Sequence, residues 1–341
     1  MELTLRKEKI LSSVVESFVR NGEPVGSKAI AEEIGVSSAT VRNEMASLTE
    51  MGLLEQPHTS SGRIPSQRGY REFVDRLMEV PELTAGEKRW VDVKLAPALY
   101  DAEQLLLRTV DLAASVSHCA AMATTPGGAG TRVKAIQLVQ TSRRTGMLLM
   151  MSTAGTMKNR VFRCDYDLTT DILRVFFQVF NKEVTGKRVS DITPAFLQNL
   201  GASLGEMYAL VGAPLGALLG TARDTAHTET LLGGQMNLLF YPELEPGAAR
   251  SILDLLENKE ELSALLQQKP GRVAALIGRE CGRPELDSAS MLVSRYVIDE
   301  QDAGAIALIG PVRMDYPKLT AMLDYLTERL SGQLTLLAGE D

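Results

Sequence analysis

Cysteine and histidine are scarce in this chain of 341 residues: Cys119, Cys164 and Cys281 stand far apart, as do His58, His118 and His227. No C-x-x-C spacing and no pair of histidines one helical turn apart occurs, which excludes a disulfide framework and the common zinc spacings and predicts buried, reduced thiols. Long apolar runs are missing too, since none approaches the roughly 20 residues needed to cross a bilayer. The opening MELTLRKEKI has the pattern of an amphipathic helix and lacks the apolar stretch of a secretory signal, so a soluble, cytoplasmic protein without membrane contact is expected. Catalytic and cofactor signatures are absent as well. TPGGAG at residues 125–130 lacks the Gly-Lys-Ser/Thr that cradles phosphate, and DYDLTTD at residues 165–171 lacks the glycine and final glutamate of a calcium loop. Glu280-Cys281 could pair a base with a nucleophile, but adjacent strand positions face opposite ways. The expectation is a protein that is not an enzyme and carries no cofactor or metal.

What is present is local. A net charge of −7 argues against indiscriminate polyanion binding. Residues 1–76 nevertheless hold 10 Lys+Arg against 11 Asp+Glu, and their basic groups gather in PHTSSGRIPSQRGYREF, residues 57–73, where Arg63, Arg68 and Arg71 precede the first acid, Glu72. The length, with 45% hydrophobic residues, allows two or three cored domains.

Ahead of that ribbon, Ile10, Leu11, Val14, Val15, Phe18 and Val19 recur at helical period and Asn21-Gly22 supplies a stop. Ser27 can cap a second helix, KAIAEEIG, and Ser37 a third, SATVRNEMASLTEM, closing at Gly52. Two short helices across a tight turn have the spacing of a helix-turn-helix, whose second helix enters the DNA major groove. Val41, Met45 and Leu48 would face the core, which turns Ala39, Arg42, Asn43 and Ala46 outward, with Ser38 and Thr40 at the helix start. Arg can pair with guanine and Asn with adenine, while small residues admit close approach.

GLLEQPHTSSGRIPS predicts strand, tight turn and strand, with Ser60-Ser61-Gly62 and Arg63 at the tip, and GYREFVDRLMEV returns to helical period. A helix-turn-helix followed by a hairpin is a winged helix. The wing would put Arg63 into a minor groove and aim hydroxyl, phenol and guanidinium donors at phosphates. The candidate DNA contacts are therefore Ser27, Lys28, Ser37, Ser38, Thr40, Arg42 and Asn43 on the helix pair, and His58, Thr59, Ser60, Ser61, Arg63, Arg68, Tyr70 and Arg71 on the ribbon.

The larger remainder is α+β in pattern. Residues 101–117 look helical; VKAIQLV, GMLLMMST and NRVFRCD look like successive strands, and DILRVFFQVFNK is helical again. GRVAALIGRE, SMLVSRYVIDE and AGAIALIGP have strand character, and YPKLTAMLDYLTERLSG closes as a helix. A sheet with helices on it, split by an insertion, is the natural inference.

GEPVGSKAIAEEIGVSSATVRNEMASL and GLLEQPHTSSGRIPSQRGYREFVD closely resemble the N-terminal signature of the bacterial heat-inducible transcription repressors, known as HrcA. The resemblance continues in LLGGQMNLL (231–239), in IGRE (277–280) and in GAIALIGPVRMDYPKL (304–319), with Ser61 where the family more often has Ala and Cys281 where Asn is usual. It implies a multidomain α+β chain: a winged helix over residues 1–76, a linker helix over 77–100, a GAF-like domain over 101–182 and 272–341, and an inserted dimerisation domain over 183–271. It further implies repression of chaperone genes by a homodimer bound to an inverted-repeat operator, nucleoid-associated when on DNA, with the chaperonin as modulator and release on heat stress. The alternative is a ligand-responsive regulator with an effector pocket in the GAF-like domain. ITPAFLQNLGASLGEMYALVGAPLGALLG, rich in apolar and small residues, is where a dimer surface is expected.

Overall fold

The apolar period of the N-terminal segment becomes helix α1 (Leu5–Asn21), capped by the Thr4 hydroxyl and stopped at Gly22, whose φ of 71° is left-handed. In this computed structural model, which describes residues 3–58, 61–96, 101–127, 131–205, 208–267 and 273–339, α2 (Ser27–Ile34) and α3 (Ser38–Glu50) follow across the turn at Gly35. Ser37 caps α3 through Thr40 N. Ser27 does not cap α2: Gly26 holds that position without a side-chain bond, and the Ser27 hydroxyl lies 3.1 Å from that of Ser38, tying the two helix starts together. The hairpin is short, β1 (Leu54–Glu55) against β2 (Ile64–Pro65), and α4 (Gln67–Glu72), capped by Ser66, runs on as a π-helical turn to Leu77. Ile10, Leu11, Val14, Val41, Met45 and Leu48 fill the space between these helices, as their spacing requires.

Helix α5 (Ala85–Leu95) starts at a Thr84/Glu87 capping box and lays Val91 and Leu95 against the molecule. Then come α6 (Ala102–Ser117), which ends at left-handed His118, β3 (Ala120–Thr124), β4 (Val133–Ser142), β5 (Thr145–Ser152), β6 (Met157–Arg163), α7 (Thr170–Val184), α8 (Pro194–Ser203), α9 (Tyr208–Ala226), β7 (Thr230–Gly233), α10 (Pro246–Glu257), α11 (Lys259–Gln267), β8 (Val273–Ile277), β9 (Ala289–Ile298), β10 (Gln301–Pro311) and α12 (Tyr316–Gly339). Among the described residues no helix is long and apolar enough to cross a membrane.

Two sheets divide this part. Strands β7-β3-β10-β9-β8 form one antiparallel sheet in that order. Its strands alternate sides: Ala121, Ala123, Leu292, Ile306 and Leu308 join the cluster with α6, α12 and the winged helix, while Ala120, Met122, Met291, Val293 and Ala307 join one with α10 and α11. Covering both faces explains why β3 is buried at every position. The second sheet is the meander β4-β5-β6, whose inner side chains Ile136, Leu138, Leu148, Met150 and Phe162 share a separate core with α7, α8 and α9.

The breaks between these cores fall elsewhere than expected. Strands β4–β6, assigned to the GAF-like part, pack with helices of the presumed insertion, and α10 and α11, placed inside 183–271, pack on the five-stranded sheet. The separate unit runs from the end of β3 to the start of β7. The segment read as strand through Glu280 also ends sooner, at Ile277, and Gly278–Cys281 is a 3-10 turn.

Candidate nucleic-acid interface

Helix α3 presents the side expected of it. Val41, Met45 and Leu48 are buried while Arg42 and Asn43 are exposed, with Ala39 beside them. Of the two acidic residues of this helix, Glu50 is exposed at its C-terminal end and Glu44 is turned back onto α1, where Arg6 and Lys7 lie 3.7 and 3.2 Å from its carboxylate. Over the first two turns what remains outward is cationic and amide. Ser37 and Thr40 spend their hydroxyls on each other, 2.8 Å apart, so they shape the helix start and leave its free N–H groups as the anion-favouring element.

The wing meets this helix across a groove of about 410 Å3 lined by Ser27, Arg42, Gln56, Ser61 and Arg63 among others. Its turn is built by Ser61, whose backbone N–H and hydroxyl both donate to His58 O, at 2.9 and 2.6 Å. Thr59 and Ser60 lie outside the described residues. Arg63 is not at the tip. Its backbone pairs with Val25 in both directions, at 2.8 and 2.9 Å, and its Nε donates to Thr49 Oγ1 at 3.0 Å, so it sits at the base of the wing beside α3. Gly62 makes that pairing possible, because a Cβ there would lie 2.4 Å from Val25 O. Gln56, exposed on the groove wall, was missed by sequence reasoning; alternation from buried Leu54 would have placed it on the same, inward face. Lys28 at the start of α2, His58 on the wing and Arg68 at the start of α4 are exposed.

Two residues of the ribbon leave this surface. Tyr70 is 2% exposed and packs on Tyr316, ring centroids 5.8 Å apart; burial above all, then Tyr316, pushes its phenol far above the ordinary range. Its hydroxyl is the one buried side-chain polar atom that finds no hydrogen-bond partner among the described residues. It cannot reach a phosphate, and the expectation that it does is corrected. An unpaired buried hydroxyl costs about 1–3 kcal/mol, so Tyr70→Phe is expected to leave DNA binding unchanged and stability unchanged or higher by about 1 kcal/mol, read from denaturant unfolding; a loss of DNA affinity at equal stability would restore the phenol as a contact.

Arg71 also turns inward. Its Nε and Nη2 hold the Glu280 carboxylate, Nη2 donates to Ala275 O at 2.7 Å and Nη1 to Asp75 at 2.9 Å. The bond to Glu280 is the first cause of the raised guanidinium pKa. A fork with its donors so occupied is not available to a phosphate. Glu280 in turn accepts from Ile277 N, and neighbouring Cys281 is buried, its thiol pushed up to about 11 by burial, then by the Glu280 charge. Among the described residues no group of three or more His, Cys, Asp or Glu could hold a metal.

The comparisons with known proteins agree with this geometry. Residues 2–77 match the family model described as winged helix-turn-helix transcription repressor, HrcA DNA-binding, and residues 103–320 match the HrcA protein C terminal domain. The chain is 34% identical over 343 residues to the heat-inducible transcription repressor HrcA of Desulforudis audaxviator, covering 99% of each protein, and 31% identical over 347 residues to that of Acetivibrio thermocellus, covering 100% of this chain and 99% of the relative. A crystal structure titled only as a hypothetical protein superposes with a TM-score of 0.70 at 22% identity, covering 98% of this chain and 100% of that one, which speaks for the fold alone. With an exposed helix carrying Arg42 and Asn43, a wing folded beside it, and repressors of one kind matching it from end to end, the chain belongs to the heat-inducible transcription repressor (HrcA) family.

Proposed function

We propose that this chain represses chaperone genes as a homodimer that reads an inverted-repeat operator, with α3 in the major groove and the wing on the adjoining backbone. The observation that carries the reading is the pairing of exposed Arg42 and Asn43 with the Arg63- and Gln56-lined groove beneath the wing, which puts base-reading and phosphate-binding groups on one side of the domain. A mobility shift on the inverted repeat against a scrambled duplex of equal length tests it, and equal affinity for both would reject sequence-specific repression.

The phosphate share of that affinity is assigned to Lys28, Arg63 and Arg68, with Arg71 withdrawn from it. Each phosphate neutralised by a cation adds about 0.9 to the slope of log affinity against log salt. Lys28→Ala and Arg68→Ala are each expected to weaken binding to every duplex alike and to flatten that slope by about one unit, measured by anisotropy over a salt series. An unchanged slope would mean that these side chains stay solvated.

Two copies are required, because a single winged helix touches too few base pairs for operator-grade affinity and a two-fold protein axis matches the repeat. The surface that supports self-association is the outer face of β4-β5-β6. Register puts Val139, Met147 and Val161 in one row and Ala135, Met151 and Met157 in another, with Leu149 between Gln137 and Asn159. Val161 and Met157 are 59% and 55% exposed, in a patch that a lone domain rarely leaves to water. The helical segments 192–220, the expected dimer surface, instead spend Leu197, Leu200, Val211, Leu215 and Leu218 on the inner face of the same sheet. Regulation by a chaperonin rests on the kinship alone. Its test is the active fraction, titrated against excess operator, which should rise when purified chaperonin is added and fall on heating without it.

A further inference from the structure

The winged helix is joined to the five-stranded domain at two points that lie away from its DNA-facing surface. At the first, α4 sits on the end of β8: Arg71 grips the Glu280 carboxylate and Ala275 O, and Gln67 donates to Asp287 O at 2.8 Å while accepting from Arg279 N at 3.4 Å. Gly278, with φ of 54°, closes over Gln67 so tightly that a Cβ there would lie 2.1 Å from its amide nitrogen. At the second, the C-terminal turn of α1 is held by Arg313, which donates to Val19 O at 2.7 Å, packs against Gly22 and pairs with Glu243. Positive charge at a helix C-terminus is favourable. Between the two points Tyr70 packs on Tyr316, and one hydrophobic cluster runs unbroken from Ile10 and Leu48 to Leu308 and Leu326.

A domain attached at one point can pivot. Attachment through two different helices, with a packed core between them, leaves it one orientation. For a repressor that reads two half-sites at once, that orientation decides which half-site separation both recognition helices can reach together, since moving one half-site by a few base pairs rotates it around the duplex.

We propose that Arg71 and Arg313, with their partners Glu280, Gln67 and Glu243, are positioning residues for operator recognition: they fix the angle of the winged helix on the body of the dimer and thereby set the half-site spacing the repressor accepts. The inference rests on the homodimer reading given above. It also explains why a family-like arginine in a basic ribbon is spent on a glutamate 209 residues away.

The test uses the full chain and its Arg71→Ala, Glu280→Gln and Arg313→Ala variants. Their probes are a half-site duplex selected from a random-sequence pool with the wild-type chain, and inverted repeats of it whose spacer grows one base pair at a time through about one helical turn of 10.5 base pairs. Wild type is expected to prefer one spacing by tenfold or more. All three variants should keep wild-type half-site affinity and salt slope, remain dimeric in sedimentation, and compress the preference to within threefold. If Arg71→Ala loses half-site affinity and flattens the salt slope while Glu280→Gln does not, Arg71 is a phosphate contact and the proposal fails. It fails equally if the variants keep the wild-type spacing profile, or if dimeric wild type shows no spacing preference. A wild type that sediments as a monomer overturns both this proposal and the dimer reading on which it rests. Should a variant fold poorly, seen as a lowered unfolding midpoint, the remaining anchor's variant and Gln67→Ala decide the matter.

Discussion

Replacing Leu149 and Val161 with aspartate is expected to give a folded monomer whose affinity for the full operator falls by about 10²- to 10⁴-fold, the usual gain from joining two binding modules, while half-site affinity is unchanged. Both positions point from the outer face of the meander, and neither belongs to the core that β4–β6 share with α7–α9. In the monomer the new carboxylates stay in water, and surface changes of this kind shift stability by about 0.5 kcal/mol or less. In a two-fold interface each copy contributes two, and the penalty is several kcal/mol for each charge buried without a partner. Sedimentation velocity and anisotropy against both duplexes check the result. If the variant still dimerises, the interface lies elsewhere, and the next surface to probe is the turn after β7, where Met236, Leu239 and Phe240 are 62%, 51% and 82% exposed. Excising residues 183–271 would be a poorer experiment, because it removes β7 from one edge of the five-stranded sheet and takes Leu238, Ile252 and Leu262 out of the core beneath it.

Which features of this molecule could be read from sequence follows from the range of the interactions that make them. Helices α1 to α3 were legible because a 3.6-residue period, a hydroxyl cap and a glycine stop all act within a few residues of one another, and Val41, Met45 and Leu48 are buried as that period requires. The wing was legible as a hairpin, but the place of Arg63 was not, because its backbone partner is Val25, outside the hairpin altogether. Tyr70 and Arg71 were misjudged for a related reason. Tyrosine and arginine serve either water or a protein surface, and what decides between them here is Tyr316 and Glu280, both far along the chain. Strand pairing has the same character. Val133–Ser142 and Ala289–Ile298 are both apolar strands in sequence, and only the register shows that the first joins a meander of local hairpins while the second joins a sheet assembled from distant segments.

Base reading is the remaining property that a pair of substitutions should expose. Arg42 and Asn43 are exposed on consecutive positions of α3, on the side away from Val41, Met45 and Leu48, so alanine at either removes no core contact and, being a strong helix former, does not weaken the helix. If Arg42 forks onto a guanine and Asn43 onto an adenine, each lost bidentate contact costs about 1–3 kcal/mol of discrimination, or roughly 5- to 150-fold at that base pair. The signature is positional: against a panel of operators carrying every single-base change, Arg42→Ala should become indifferent at one base pair and Asn43→Ala at a different one, with the remaining preferences intact. A phosphate contact would behave otherwise, weakening all duplexes together and reducing the salt slope by about one unit, as expected of Lys28 and Arg68. Unaltered preference in both variants would remove α3 as the reading helix and leave the groove beneath the wing, with Gln56 and Arg63 on its walls, as the surface that carries specificity.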